Sequence, residues 1–119
     1  MKLIKNILFI FIGFIAGIII AVLFCQKSPV TITFKNDSSK QLKSAIINNE
    51  GRNFLVQNIN VGDSSVLNFH VKGESSYSMI FTFDDGTIIK ARRSYIESGY
   101  NYTEIIDDST ITLRVNSFN

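Results

Sequence analysis

The sequence predicts an all-β domain of about eight short antiparallel strands, an immunoglobulin-like two-sheet sandwich preceded by one N-terminal transmembrane helix. Three observations carry this. Residues 7–25, ILFIFIGFIAGIIIAVLFC, contain no charge and no Pro, Asn or Gln. Beyond them, apolar and polar residues alternate over short stretches with a period of two, and no amphipathic helical period interrupts them. Clusters of Asn, Asp, Gly and Ser separate these stretches at regular spacing, which favours a sandwich, with an open barrel as the alternative. Without Trp or a Cys pair, an antibody-type domain is excluded as a sequence match.

The apolar run comes first. As a helix rising about 1.5 Å per residue it reaches roughly 28 Å, close to the hydrocarbon thickness of a bilayer. Residues 1–6 form a short basic tail with Lys2 and Lys5, and the whole has the layout of an export signal. The run is longer than the core of a cleaved signal, and its exit, Val22-Leu23-Phe24-Cys25-Gln26, offers no small-x-small cleavage site. Phe24 before Cys25 also departs from a lipoprotein signal. The expectation is therefore an uncleaved single-pass signal-anchor, with the following domain extracytoplasmic. Positive charges before and after the run nearly balance, so the very short tail decides the orientation. Gly13, Gly17 and Ala21 lie four residues apart and form a smooth helix face, a candidate helix–helix contact for a homodimer. Gly and Ala are also simply common in membrane helices. Cys25, at the membrane edge, is a candidate for acylation or a small apolar residue.

Residues 26–29 read as a short tether, with Pro29 unable to continue a helix. The domain, 30–119, then opens with an alternating strand at 30–34, Val30, Ile32 and Phe34 inward. After a turn at 36–39 comes a strand at 40–47 with Leu42 and Ile46 on one face. Residues 48–51 read as a hairpin loop, and 52–59 return with an FLV run whose inward face is ambiguous. A turn at 60–63 precedes 65–72, with Leu67, Phe69 and Val71 inward. The clearest strand is 76–83, where Tyr77, Met79, Phe81 and Phe83 line one side. Asp84-Asp85-Gly86 makes a short hairpin loop in which Gly supplies the positive φ. Residues 87–93 run back, 94–98 are the least regular piece, and 99–106 and 110–116 form a closing hairpin with Ile111, Leu113 and Val115 inward.

Charge excludes one class of partner. All acids and all bases but Lys2 and Lys5 follow the apolar run, so the net +2 belongs to the leader and the chain after the run, tether included, is neutral. Nucleic acid is not an expected partner. The catalytic inventory is equally thin. His70 is the single histidine, and alternation places it on a strand's outer face. With one His and one Cys, no zinc site of the usual ligands can be built within one chain. No glycine-rich phosphate loop exists. The pairs Asp84-Asp85 and Asp107-Asp108 suit turn chemistry first and calcium second. No cofactor, metal or enzymatic activity is expected. Asn36-Asp37-Ser38 and Asn101-Tyr102-Thr103 match the glycosylation sequon.

One stretch, 90–102, concentrates the residue types that dominate protein interfaces: Arg92, Arg93, Tyr95, Tyr100 and Tyr102. Tyrosines also serve as core cover, so a structural role competes. The function expected is a membrane-tethered, non-catalytic module binding another envelope or incoming protein. A structural subunit of a membrane complex is the alternative, and a small enzyme or ligand carrier using acidic loops a weaker one.

Overall fold

The computed structural model describes residues 1–25 and 28–118, and within these the side chains of 22–25 and 116–118 are left aside. Helix α1 spans Lys2–Cys25. It is the one helix long and apolar enough to cross a membrane among the described residues; its Lys2–Ala21 stretch has a mean hydropathy of 2.5 and no buried residue. A signal sequence at the start of a chain shares that length and composition. Of the tether at 26–29, residues 26 and 27 lie outside the described residues.

Eight strands follow: β1 Val30–Asn36, β2 Leu42–Asn49, β3 Arg52–Ile59, β4 Ser64–Phe69, β5 Glu74–Phe83, β6 Ile88–Glu97, β7 Tyr100–Ile106 and β8 Ile111–Phe118. They form two four-stranded sheets, ordered β4-β1-β7-β8 and β3-β2-β5-β6, and the expected two-sheet sandwich is there. All pairs are antiparallel except β1 with β7, which run parallel because the five intervening strands form the crossover. In an immunoglobulin domain the first two strands are neighbours in one sheet. Here β1 and β2 lie in different sheets, so the layers are immunoglobulin-like while the connectivity is not.

The core fills with the alternating residues of both sheets. Val30, Ile32 and Phe34 of β1 meet Tyr77, Met79, Phe81 and Phe83 of β5, all buried, with Phe34 and Phe81 edge to face at 5.9 Å. Phe69 and Val71 are buried as alternation predicts, with Leu67 half-buried against them. The FLV ambiguity resolves with Phe54 and Val56 packed on the core and Leu55 exposed. Glu50 and Gly51 take positive φ values of 50° and 80° in the two-residue turn between β2 and β3, and Gly86 takes 87° in the next hairpin.

Three bulges account for the departures from simple alternation. In β2, Leu42 faces Phe83 while Ser44 faces Thr82, so Lys43 is one residue too many. The extra residue reverses the phase: Leu42, Ala45 and Ile47 are buried, and Ile46, expected to share the face of Leu42, is exposed. In β6, Arg93 faces Tyr77 while Ile96 faces Ser75, which puts Ser94 and Tyr95 opposite Ser76 alone. Residues 94–98 are thus the bulged end of a continuous strand plus a tight turn, not an irregular connection. In β8 the surplus residue is Asn116. Val115 stays opposite Tyr102 on the inward side, yet it is exposed, because β8 is a sheet edge with no strand beyond it among the described residues.

The two sides of the sandwich differ. On one, β3 lies beside β4, with Phe54 stacked on Phe69 at 5.1 Å and the Arg52 guanidinium over both rings. On the other, β6 and β8 are the two edges, and their inward residues Ile89, Ala91, Ile111 and Leu113 are half-buried. The two ends differ as well. The chain enters β1 at Pro29, whose carbonyl accepts the Gly99 N–H of the β6–β7 turn at 3.3 Å. Three peptide links separate Cys25 from Ser28, so this end lies within about 11 Å of the end of α1. Every Asp of the chain sits in a turn at the opposite end.

Candidate functional site

The interface-type residues of 90–102 sit on β6 and β7, and the fold divides them. Arg93 points between the sheets. Its Nε and Nη2 donate to Glu104 Oε1 and Oε2 at 3.0 and 2.9 Å, and Nη2 also reaches the Ile111 carbonyl at 3.3 Å across the open side. Glu104, on β7, has no exposed surface, and Tyr77 donates its hydroxyl to it at 2.6 Å. Burial, followed by the Glu104 charge, raises the Tyr77 phenol far above its ordinary pKa, and the Glu104 hydrogen bond raises that of Arg93. A charged cluster inside a small core is tolerable only when every member is paired, and here each is.

Tyr102 is also structural. It is buried, and its hydroxyl accepts the Glu97 backbone N–H at 3.1 Å, tying the β6–β7 turn to the sheet. Burial raises its pKa. Tyr100 is half-buried, its ring tilted against that of Tyr102 at 6.1 Å. Two of the five residues remain on the surface. Tyr95, turned outward by the bulge, is 53% exposed and donates to Glu97 at 3.0 Å, the bond that raises its pKa. Arg92 is exposed on the outer face of the β3-β2-β5-β6 sheet, opposite Ser78, and pairs with no carboxylate among the described residues. It borders two shallow depressions of about 170 and 360 Å³, one shared with Asn48, Glu50 and Ser76, the other with Ile80 and Lys90.

The other sequence candidates resolve simply. Asp85 accepts the Thr87 N–H at 2.9 Å and pairs with Lys40 at 2.5 Å; the Lys40 bond first, then Thr87, holds its carboxyl below the usual range. Asp108 accepts both the N–H and hydroxyl of Ser39 at 2.8 Å, which lowers its pKa. These are turn functions. Among the described residues no group of three His, Cys, Asp or Glu could hold a metal ion. His70 is exposed, as alternation predicts. Asn36 is fully buried and its amide donates to the Lys40 and Ile59 carbonyls, both at 2.9 Å, so its sequon is inaccessible in the folded domain. On α1, Gly13, Gly17 and Ala21 are exposed, and a Cβ at either glycine would meet nothing within 4 Å. The Cys25 side chain lies outside the described set.

Sequence reasoning passes over Glu104 and Asn49. Both are in phase with buried apolar neighbours, Tyr102 and Ile106 for one and Ile47 for the other, and that phase was the available signal. Asn49 donates to Ser75 Oγ at 2.9 Å and to the Ser76 carbonyl at 2.7 Å, and accepts from Arg52. No buried side-chain nitrogen or oxygen among the described residues lacks a partner. The interior polar groups of the described residues are thus committed to holding the sheets.

No protein-family model and no curated protein matches the chain. Among solved structures it is similar to an NMR structure of a protein from Eubacterium rectale, with a TM-score of 0.61 and 16% sequence identity. The match covers 76% of this chain and 91% of that one. At that identity the likeness shows the fold alone: the sandwich is an architecture that the Eubacterium rectale protein shares.

Proposed function

We propose that the chain is a single-pass, membrane-tethered binding module that presents its sandwich on the extracytoplasmic side to another envelope or incoming protein. The observation that carries this reading is the division within β6. Arg93 is used inside the fold, while Arg92, before the bulge, and Tyr95, within it, are exposed on the same edge strand. Arg and Tyr on a rigid strand give contact area at low entropic cost, and bulges commonly re-aim side chains at binding sites. The uncleaved anchor rests on the length of the apolar run and on its exit without a small-x-small site. The short link keeps the domain near the bilayer, where its partners would be held too.

The test is crosslinking from intact membranes followed by pull-down of the full chain. A partner recovered in stoichiometric amount, and lost with Arg92→Ala or Tyr95→Ala at unchanged thermal stability, is the expected outcome. A chain recovered as a soluble product beginning near Gln26 removes the anchor. Capture unaffected by both substitutions moves the surface elsewhere.

A further inference from the structure

Beyond that reading, and resting on it, the structure lets us say what chemistry the module takes. We propose that β6 accepts an extended acidic segment of a partner as an added antiparallel or parallel strand, its carboxylates facing Lys90 and Arg92 and its alternate apolar side chains closing the open side of the sandwich.

Four observations converge. First, β6 is a sheet edge, so half of its backbone N–H and C=O groups point away from β5. The bulge at Ser94 and Tyr95 twists only the end nearest the helix, and 88–93 keep a regular register with β5. Second, the outward side chains of that stretch include two cations, Lys90 and Arg92, both exposed and neither in an ion pair with a described carboxylate. Third, the inward residues of both edges remain unfinished core: Ile89, Ala91, Ile111 and Leu113 are half-buried, and Val115 is 55% exposed although it points inward. A strand added at β6 places every second side chain over this slot and the others over the outer face, because side chains alternate. Fourth, β3 and β4 touch on the opposite side, where Phe54 stacks on Phe69 above the half-buried Val56 and Leu67, whereas β6 and β8 stay further apart, so the wider gap belongs to the β6–β8 side.

Charge decides the occupant. In a two-fold pairing of β6 with a second copy of itself centred on Ala91, Lys90 would face Arg92 of the other copy twice over. Like charges directly opposite destabilise a strand pair, so a second copy is disfavoured. A lipid headgroup offers phosphate to Lys90 and Arg92 but no alternating apolar side chains for the slot. A strand of carboxylates and apolar residues answers both surfaces at once.

The experiment uses the full chain in detergent micelles, labelled for amide NMR, and a capped synthetic peptide alternating Val and Glu over seven residues. Its controls are the Val/Lys peptide, a peptide of the same composition with its residues in two blocks, and the Val/Glu peptide N-methylated at alternate residues. The Val/Glu peptide should bind at least about tenfold more tightly than the Val/Lys and block peptides at low salt. It should protect the outward amides of 88–93 from exchange, and N-methylation on the pairing edge should abolish binding. Lys90→Glu with Arg92→Glu, both at exposed positions, should reverse the preference in favour of the Val/Lys peptide. Equal binding of the Glu and Lys peptides, protection mapping to β3, β4 or β8, or no binding of the Val/Glu peptide overturns the proposal. If membrane crosslinking still captures a partner in those cases, the binding-module reading survives and only the acidic strand at β6 is lost.

Discussion

Replacing Arg93 by Met removes the cation from a carboxylate that has no exposed surface. Glu104 would keep one donor, the Tyr77 hydroxyl at 2.6 Å, and lose the two-pronged contact at 2.9 and 3.0 Å. Breaking a buried pair from one side costs about 3–5 kcal/mol. The Arg93 side chain is 20% exposed, so water reaches part of the gap, and the lower end, about 3 kcal/mol, is the expected loss. A domain of this size has about 5–15 kcal/mol in all. With a urea slope of about 1–1.5 kcal/mol/M, the midpoint should fall by about 2–3 M. Near-ultraviolet circular dichroism of the full chain in detergent, dominated by tyrosine because the chain has no Trp, reads the transition. The triple change Tyr77→Phe, Arg93→Met, Glu104→Leu removes all three polar partners together and should recover most of the loss, because an apolar replacement of a complete buried network is close to neutral. A midpoint for Arg93→Met within about 0.5 M of the parent would refute the argument, since a carboxylate sealed between two sheets cannot lose its cation so cheaply.

Three further outcomes are expected. Phe81→Ala, at a fully buried position in van der Waals contact with Phe34, should cost about 3–5 kcal/mol in urea unfolding, whereas Ile80→Ala, its 38% exposed neighbour on the outer face, should cost far less; equal losses would mean that both faces of β5 are covered. Tyr77 keeps its proton in the fold while the unfolded phenol ionises near its reference pKa of 10.0, so the stability tied to it is complete below that pH and falls as pH rises above it. Tyr77→Phe should flatten part of the alkaline limb of the stability–pH curve, leaving the contribution of Tyr102, whose pKa is also raised by burial. On the helix, Gly17→Ile should weaken dimer crosslinking if the Gly13–Gly17–Ala21 face brings two copies together, and unchanged crosslinking would leave that face as ordinary membrane-helix composition.

Most of the fold is legible because a half-buried strand advertises itself. Val30, Ile32 and Phe34, or Tyr77 through Phe83, occur with a period of two that only a pleated strand over a core can satisfy, and both sets are buried. Strand pairing is not legible in this way. Nothing in residues 30–36 says that their neighbours will be β4 and β7 in place of β2, because any inward-facing apolar set can serve either sheet. The same limit hid the inner ion pair. Glu104 and Arg93 come from strands in different sheets, and only the stacking of those sheets brings a carboxylate and a guanidinium together.

The bulges mark where local pattern and global packing part, and they bear on function as well as on prediction. One surplus residue in β2 is enough to send Ile46 to the surface, although Leu42 and Ile46 suggest a common face when a constant period is assumed. In β6 the surplus residue has two consequences at once. It lets Arg93 and Ile96 both point inward although three positions apart, which a regular strand forbids, and it thereby leaves Ser94 and Tyr95 outside together. The same device twists the helix-proximal end of an exposed edge, a usual guard against indiscriminate pairing. It stops short of 88–93. An edge that is guarded at one end, carries Lys90 and Arg92 along its middle and borders unfinished core is therefore selective by construction: charge turns away a second copy of itself, and the open slot rewards a strand whose other face is apolar.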